Sequence, residues 1–408
     1  MLLTLTRVVG GYAYSRRDLR LVYAAMFLSF LGASLTFPLR LLYAQTHHAS
    51  PAQLGLMAAS FLIAPLLFQL PLGWLVDRWG RVPVLMIGLL GHPIISLLYV
   101  PLNSPWELIA LRFLEGVTVA AFQPSISAYI ADVTPEEHRA EAYGAMGATL
   151  NAGLLIGPLF GGLLGQYFGF TVAFLATFAI EALAIPLVVG HIKEPRVREV
   201  HDGERVSWRD LFSIPLAAAY VAYFTLQVVM GMLGSLWSIW IHDLGASFAF
   251  IGVTFSVFAL PQIFLGASAG RLARRWGRAV VLLVSGLGAA AIYVAYGFLT
   301  SLVVITLLGV VEGIVIVFQM PVAQSLLADA APPSARGRAQ GLSGLLGSVG
   351  GAVAALASLP LYHADRPAPF VLIGAVMALG SAIAAGGAAM YARRRQDELP
   401  AVQARIPA

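Results

Sequence analysis

The sequence predicts an all-α integral membrane protein with twelve transmembrane helices in two parallel six-helix repeats. Three observations lead there. The 408 residues are 59% hydrophobic and 11% charged, with a mean hydropathy of +0.82, more apolar surface than a soluble globule can hide. The apolar runs are mostly about 20 residues or longer, which matches a hydrocarbon layer of roughly 30 Å and is about twice the length of a barrel strand. Finally, GWLVDRWGRVPVLMIGLL, starting at Gly73, returns as GRLARRWGRAVVLLVSGLG from Gly270. Gly73, Trp79, Gly80 and Arg81 match Gly270, Trp276, Gly277 and Arg278 at a constant offset of 197.

Hydropathy and charge place the elements in order. Spans 1 to 6 are expected at 19–43, 52–76, 82–100, 105–131, 140–164 and 171–190, with the charged turn of Asp77, Arg78 and Arg81 between spans 2 and 3. Hydropathy then collapses over 191–213, where ten of 23 residues are Asp, Glu, Lys or Arg, the mark of a linker. Spans 7 to 12 are expected at 214–241, 248–270, 280–299, 302–328, 337–361 and 368–391, and Arg393, Arg394 and Arg395 close the last. The expected domains are therefore a six-helix bundle at 1–190, a cytoplasmic linker at 191–213, a second bundle at 214–392 and a disordered cytoplasmic tail at 393–408.

The formal charge of +5 is better explained by topology than by nucleic acid. Basic residues gather at the termini, in the linker and at the even-numbered junctions, while the odd-numbered junctions hold Arg366 alone. By the positive-inside rule both termini are cytoplasmic. Residues 1–20 show no h-region or cleavage site. With zero cysteines, disulfides, thiolate metal sites and cysteine nucleophiles are excluded. No metal, nucleotide or nucleophile constellation points to an enzyme.

The repeat continues beyond the charged turn. Glu115, Gly116, Asp132, Pro135, Arg139 and Gly144 match Glu312, Gly313, Asp329, Pro332, Arg336 and Gly341 at the same offset. Six spans per repeat keep the copies parallel about an axis along the membrane normal, an arrangement found in transporters whose site lies between the halves.

These residues resemble the major facilitator superfamily over essentially the whole chain. Gly73, Asp77, Arg78, Gly80 and Arg81 fit its G-x-x-x-D-R-x-G-R signature between spans 2 and 3. Arg112, Glu115 and Gly116 in span 4 are similar to a signature of its drug:proton antiporters. So are Gly153, Gly157, Pro158, Gly161 and Gly162 in span 5, whose copy in span 11 keeps Gly347, Gly350 and Gly351 without a proline. Glycines let helices approach closely and proline permits bending, so span 5 reads either as a hinge seam or as tight packing. The resemblance implies that spans 1, 4, 7 and 10 line the cavity. It also implies that Asp77, Arg81 and Asp132 latch the cytoplasmic side, with Asp77 at a helix N-terminus and Arg81 on Asp132. Arg274 stands where Asp77 would recur, so the second latch is expected to be weaker or differently wired.

Three carboxylates fall within spans, Glu115, Glu181 and Glu312. A charge at mid-membrane costs about 2.5 to 3.5 kcal/mol on insertion scales, so each needs a partner, a wet cavity or a proton. Glu115 has Arg112 three residues before it and reads either as an internal ion pair or as a switchable proton site. Glu312 has no neighbouring arginine on its helix and reads either as the better isolated proton carrier or as a structural hydrogen-bonding group. Glu181 lies on span 6, peripheral in the superfamily, and His92 in span 3 reads as a structural hydrogen-bonding residue. The expected cavity faces carry Ser29, Thr36 and Arg40 of span 1, Phe122 and Gln123 of span 4, Gln227 and Ser238 of span 7, and Gln319 of span 10. Arg40, near the outer end, reads either as a cavity residue or as a side chain snorkelling to the surface. Trp237 and Trp240 read as packing or girdle aromatics rather than a ligand-stacking pair.

Together these readings give a monomeric, multi-pass transporter of the inner membrane, driven by the proton gradient and needing no cofactor. It exchanges protons, coupled through Glu115, Glu312 and Arg112, for an amphipathic or hydrophobic small molecule. Its partners are that substrate, protons and the lipid bilayer, with no nucleic acid. The alternatives are an anionic or lipid-like substrate moved by symport or facilitated diffusion, and a non-transporting receptor or scaffold.

Overall fold

The computed structural model describes residues 12, 14, 16–195, 211–265, 269–332 and 336–403. Among them every regular element is a helix. Ten helical segments are long and apolar enough to cross a membrane. One of these, Glu136–Val188, is broken at Gly169, whose φ of 82° lies in the left-handed region open to glycine. Pro105–Val133 has crossing length as well, and carries Glu107, Arg112, Glu115 and Asp132. The division at Gly169 and the 29-residue Pro105–Val133 bring the segments into line with twelve spans.

Helix boundaries repeat at the offset read from the sequence. Arg17–Thr46 corresponds to Ile214–Asp243, Arg81–Leu98 to Arg278–Tyr296, and Pro105–Val133 to Leu302–Ala330. Left-handed backbone recurs too, at Gly80 (φ 101°) and Gly277 (φ 85°), so each signature turn needs its glycine. Span 2 starts on a capping box, in which Ser50 Oγ accepts from the Gln53 N–H while the Ser50 N–H donates to Gln53 Oε1.

Two spans expected to be continuous are broken. Span 1 is Arg17–Leu35 followed by Arg40–Thr46, and span 10 is Leu302–Ile316 followed by Gln319–Ala330. Each break lies beside a proline, Pro38 or Pro321, which donates no N–H and crowds the carbonyl four residues back. The tail is helical rather than irregular as far as it is described, because the last span runs Ala368–Gln403.

Contacts group the chain into two compact units, Met1–Val200 with Ser235–Ile263, and His201–Gly234 with Phe264–Ala408. The first has a core of Leu19, Val22 and Met26 against Leu85, Leu89, Ile126 and Ile130. The second packs Leu216 against Val281, Leu282, Leu326 and Leu327. Large apolar side chains such as Leu70, Phe264 and Leu379 are mostly exposed. In a chain of this composition they face lipid tails.

Candidate functional site

The first unit contains a charge cluster built from four spans. Glu115 of span 4 is fully buried, with Arg112 Nη1 donating to its Oε2 from one turn earlier. Arg40 Nε lies 3.1 Å from Glu115 Oε1. Arg40 is 4% exposed, so the snorkelling reading is wrong. The break after Leu35 restarts the helix at Arg40 and directs it to span 4 instead of the surface. Arg112 also lies over the Phe61 ring at 4.0 Å, a cation–π contact that holds the guanidinium on its other side. Two cations thus face one carboxylate, and the ion-pair reading of Glu115 gains a second arginine.

Behind this group His92 Nδ1 of span 3 lies 2.9 Å from Glu181 Oε2 of span 6. Separated by 89 residues, a structural and a peripheral residue by sequence, the two form one pair in the fold. Glu181 rests on the backbone of span 1: a Cβ on Gly32 would fall 2.5 Å from Glu181 Cγ. The pair lines a cleft of about 420 Å³, counting the part open to solvent, together with Ser29, Ala33, Phe122 and Gln123. Of the expected cavity residues, Ser29, Phe122 and Gln123 therefore meet. Thr36 is fully buried beside the break.

Glu312 has a different setting in the second unit. It is 4% exposed and accepts a hydrogen bond of 2.8 Å from the Tyr296 hydroxyl. Among the described residues no cation lies within ion-pair distance of it. Gln319, expected on the same cavity face, is turned to span 9, where its Nε2 donates to Leu282 O (3.0 Å) and Ser285 Oγ (2.7 Å). The break at Val317 and Phe318 changes the helix phase that placed Gln319 beside Glu312. Gln227 packs on span 11, its Cγ 2.7 Å from where a Gly347 Cβ would lie. Ser238 is buried within the first unit. Trp237 donates from Nε1 to Thr254 Oγ1 at 2.9 Å and meets Trp240 edge-on, which is packing.

The signature turn makes the expected pair, Arg81 Nε to Asp132 Oδ2 at 2.8 Å. It also makes one that was not expected. Glu194, at the start of the linker, accepts from the Arg81 and Val82 backbone N–H groups at 2.6 and 2.7 Å, capping span 3. Arg78 lies 5.2 Å from the Trp74 ring, and a Cβ on Gly73 would meet nothing within 4 Å. The side chain of Asp77 lies outside the described residues. In the second unit Arg278 donates to Asp329, the same pairing at the same offset. The Arg–Asp half of the latch is duplicated, whatever Arg274 changes.

The span 5 glycines form a seam with two faces. Cβ atoms on Gly153, Gly157 and Gly161 would come within 2.9, 1.9 and 1.7 Å of span 1 atoms. A Cβ on Gly162 would lie 2.4 Å from Phe248 O, and one on Gly252 would lie 2.2 Å from Pro158 O. Backbone meets backbone on both faces, the close packing that small residues allow.

The family model described as Major Facilitator Superfamily matches residues 22–241 and 219–405. The chain belongs to the Major Facilitator Superfamily. Tetracycline resistance protein, class E, of Escherichia coli is 30% identical over 290 residues, 67% of this chain and 71% of that protein. Multidrug resistance protein 1 of Bacillus subtilis (strain 168) is 25% identical over 373 residues, 90% of this chain and 95% of that protein. Among solved structures, an inward-facing, occupied bacterial homolog of the human lysosomal transporter Spinster superposes with a TM-score of 0.74. It is 16% identical, over 94% of this chain and 98% of that one, a likeness that shows the fold. The protein is thus a multi-pass membrane transporter of this superfamily rather than an enzyme. The superfamily residues Gly73, Arg78, Gly80 and Arg81 fall at the turn described above.

Proposed function

We propose that this superfamily member is a proton-coupled exporter of amphipathic or hydrophobic small molecules. It works by alternating access as a monomer in the inner membrane, with both termini cytoplasmic and the proton gradient as its energy source. The observation that carries this reading is Glu312, a buried carboxylate whose partners are the neutral phenols of Tyr296 and Tyr293. Its burial cost changes with each proton it takes up, as a coupling site requires. Relatives described as tetracycline and multidrug resistance proteins support the substrate class. The distribution of arginines supports the orientation.

Glu115 serves differently. With both guanidinium groups on it, it is a fixed charge that holds span 1 to span 4, and Arg112 and Arg40 are its positioning partners. Arg40 and Arg112 are balanced within the cluster by Glu115 and Glu181 together, which weakens the case for an anionic substrate. The Arg81–Asp132 and Arg278–Asp329 pairs supply the gating contacts, and span 5 the seam.

The test is reconstitution in vesicles with a pH-sensitive dye and a panel of lipophilic cations, neutral drugs and anionic or lysolipid-like compounds. Substrate-evoked proton flux from wild type, lost in Glu312→Gln while substrate binding persists, is the expected result. Undiminished proton-coupled flux in Glu312→Gln would remove Glu312 from the coupling role. Transport of an anionic compound without proton movement would replace antiport with facilitated transport.

A further inference from the structure

We propose that His92 and Glu181 form a second proton-binding site, and that this pair, not Glu115, carries proton coupling in the first half. It rests on the proton-coupled reading above. Charge counting within the cluster points to it. Arg40 and Arg112 supply two positive charges, and Glu115 and Glu181 two negative ones. With His92 neutral the group is balanced, and one added proton leaves it with a single positive charge.

The added proton therefore has a defined place. Glu115 already faces two guanidinium groups, whereas Glu181 faces an imidazole, the side chain whose ordinary titration falls between about pH 5 and 8. Facing the pair are Arg40 from span 1 and Glu115 from span 4, both within electrostatic reach. Arg112 lies behind Glu115, and Tyr99 on span 3 adds a buried hydroxyl near the same charges. Span 6 contributes Glu181 itself. The step is proton transfer alone: one proton enters from water at the imidazole or the carboxylate and leaves by the same chemistry in reverse.

Two further observations make this more than a structural hydrogen bond. The pair lines the cleft, so it is not sealed in the packed core. In addition, Thr36 Oγ1 and Arg40 Nη2 in the neighbouring span 1 keep hydrogen-bonding capacity unused. The pair also touches the element that would move. Glu181 packs on Gly32, and Thr177, one turn earlier on span 6, donates to Gly32 O at 3.2 Å, while the other side of span 1 lies on the span 5 glycines. A change in the charge of Glu181 is felt at the span 1 backbone.

The experiment is pH-difference infrared spectroscopy of the full-length protein in lipid vesicles, paired with flux assays on the same preparations. Wild type is compared with His92→Gln, Glu181→Gln and Glu312→Gln. The expected result is a titrating imidazole–carboxyl signal between about pH 5 and 8 that both His92→Gln and Glu181→Gln remove and Glu312→Gln retains. Proton-driven flux should be lost in those two variants, with substrate–substrate exchange preserved as proof of folding. No such signal in wild type, or a signal lost without any change in proton-driven flux, overturns the proposal. If Glu312→Gln and wild type alike move substrate without protons, the proton-coupled reading fails, and coupling through this pair fails with it. The infrared titration then still decides whether the pair binds a proton. A full signal with unaltered flux in His92→Gln and Glu181→Gln, but lost flux in Glu312→Gln, overturns this proposal and leaves the coupled reading standing.

Discussion

Glu115 and Glu312 stand 197 residues apart at the same place in the two repeats, each buried in mid-span and each accompanied by a tyrosine at a matching position, Tyr99 or Tyr296. Their surroundings have diverged. Where the first half has Arg40 and Arg112, the second has Trp237 and Gly309. Glu115 is accordingly an ion-paired strut, and Glu312 is a carboxylate held by two phenols. The duplicated scaffold kept the carboxylate, and the residues around it divided the work. One copy can hold charge constantly, and the other is free to gain and lose it.

The largest effect that would break this contrast is on stability. Glu115→Gln leaves two buried guanidinium groups without their anion, which should cost about 3 to 5 kcal/mol. Glu312→Gln keeps a group that can still bond Tyr296 and should cost about 1 kcal/mol. Thermal unfolding in detergent should show a much lower midpoint for the first variant, and equal midpoints would mean that Glu115 is not a strut. Next in size, Gly309→Arg would give the second half the arginine of the first. A Cβ there meets only the Tyr296 hydroxyl, at 3.7 Å, so the backbone leaves room for it. Proton-driven flux should fall to background with exchange retained, and unaltered flux would show that a nearby cation does not disable Glu312.

Tyr296→Phe sharpens the comparison further. Losing one hydrogen bond to a buried carboxylate should destabilise by about 1 to 3 kcal/mol and shift the pH dependence of transport. The same change at Tyr99, which neighbours the ion-paired Glu115, should leave that profile in place. The smallest difference concerns the latches. Arg278→Ala breaks a pair with side chains 31% and 39% exposed and should alter stability by less than about 1 kcal/mol. Arg81→Ala removes a less exposed pair and should slow transport more. A double-mutant cycle with Asp132→Ala and Asp329→Ala would rank the two.

Much of this was legible in the sequence. The span lengths, the offset of 197, the signature turn and the Arg112–Glu115 neighbours are local or periodic properties, and they survive into the fold at the same offset. Even Tyr296 was within reach, because Tyr99 recurs at that offset. Other features were not legible. Arg40 and Glu115 are 75 residues apart, His92 and Glu181 are 89 apart, and Arg81 and Glu194 are 113 apart. No helical period relates the members of such pairs, so only packing of separate spans decides which polar group meets which.

Hydropathy fixed where the chain crosses the membrane, since every residue of a span feels the same solvent. Proline position carried the information for the breaks at 36–39 and 317–318, but the consequences lay in three dimensions: Arg40 turned inward and Gln319 turned away from Glu312. The amino-acid sequence by itself determined the spans, their duplication and the stock of buried charges. The tertiary structure decided their pairing, because a charge inside a membrane is governed by its nearest opposite charge or hydrogen bond, and those neighbours come from other helices.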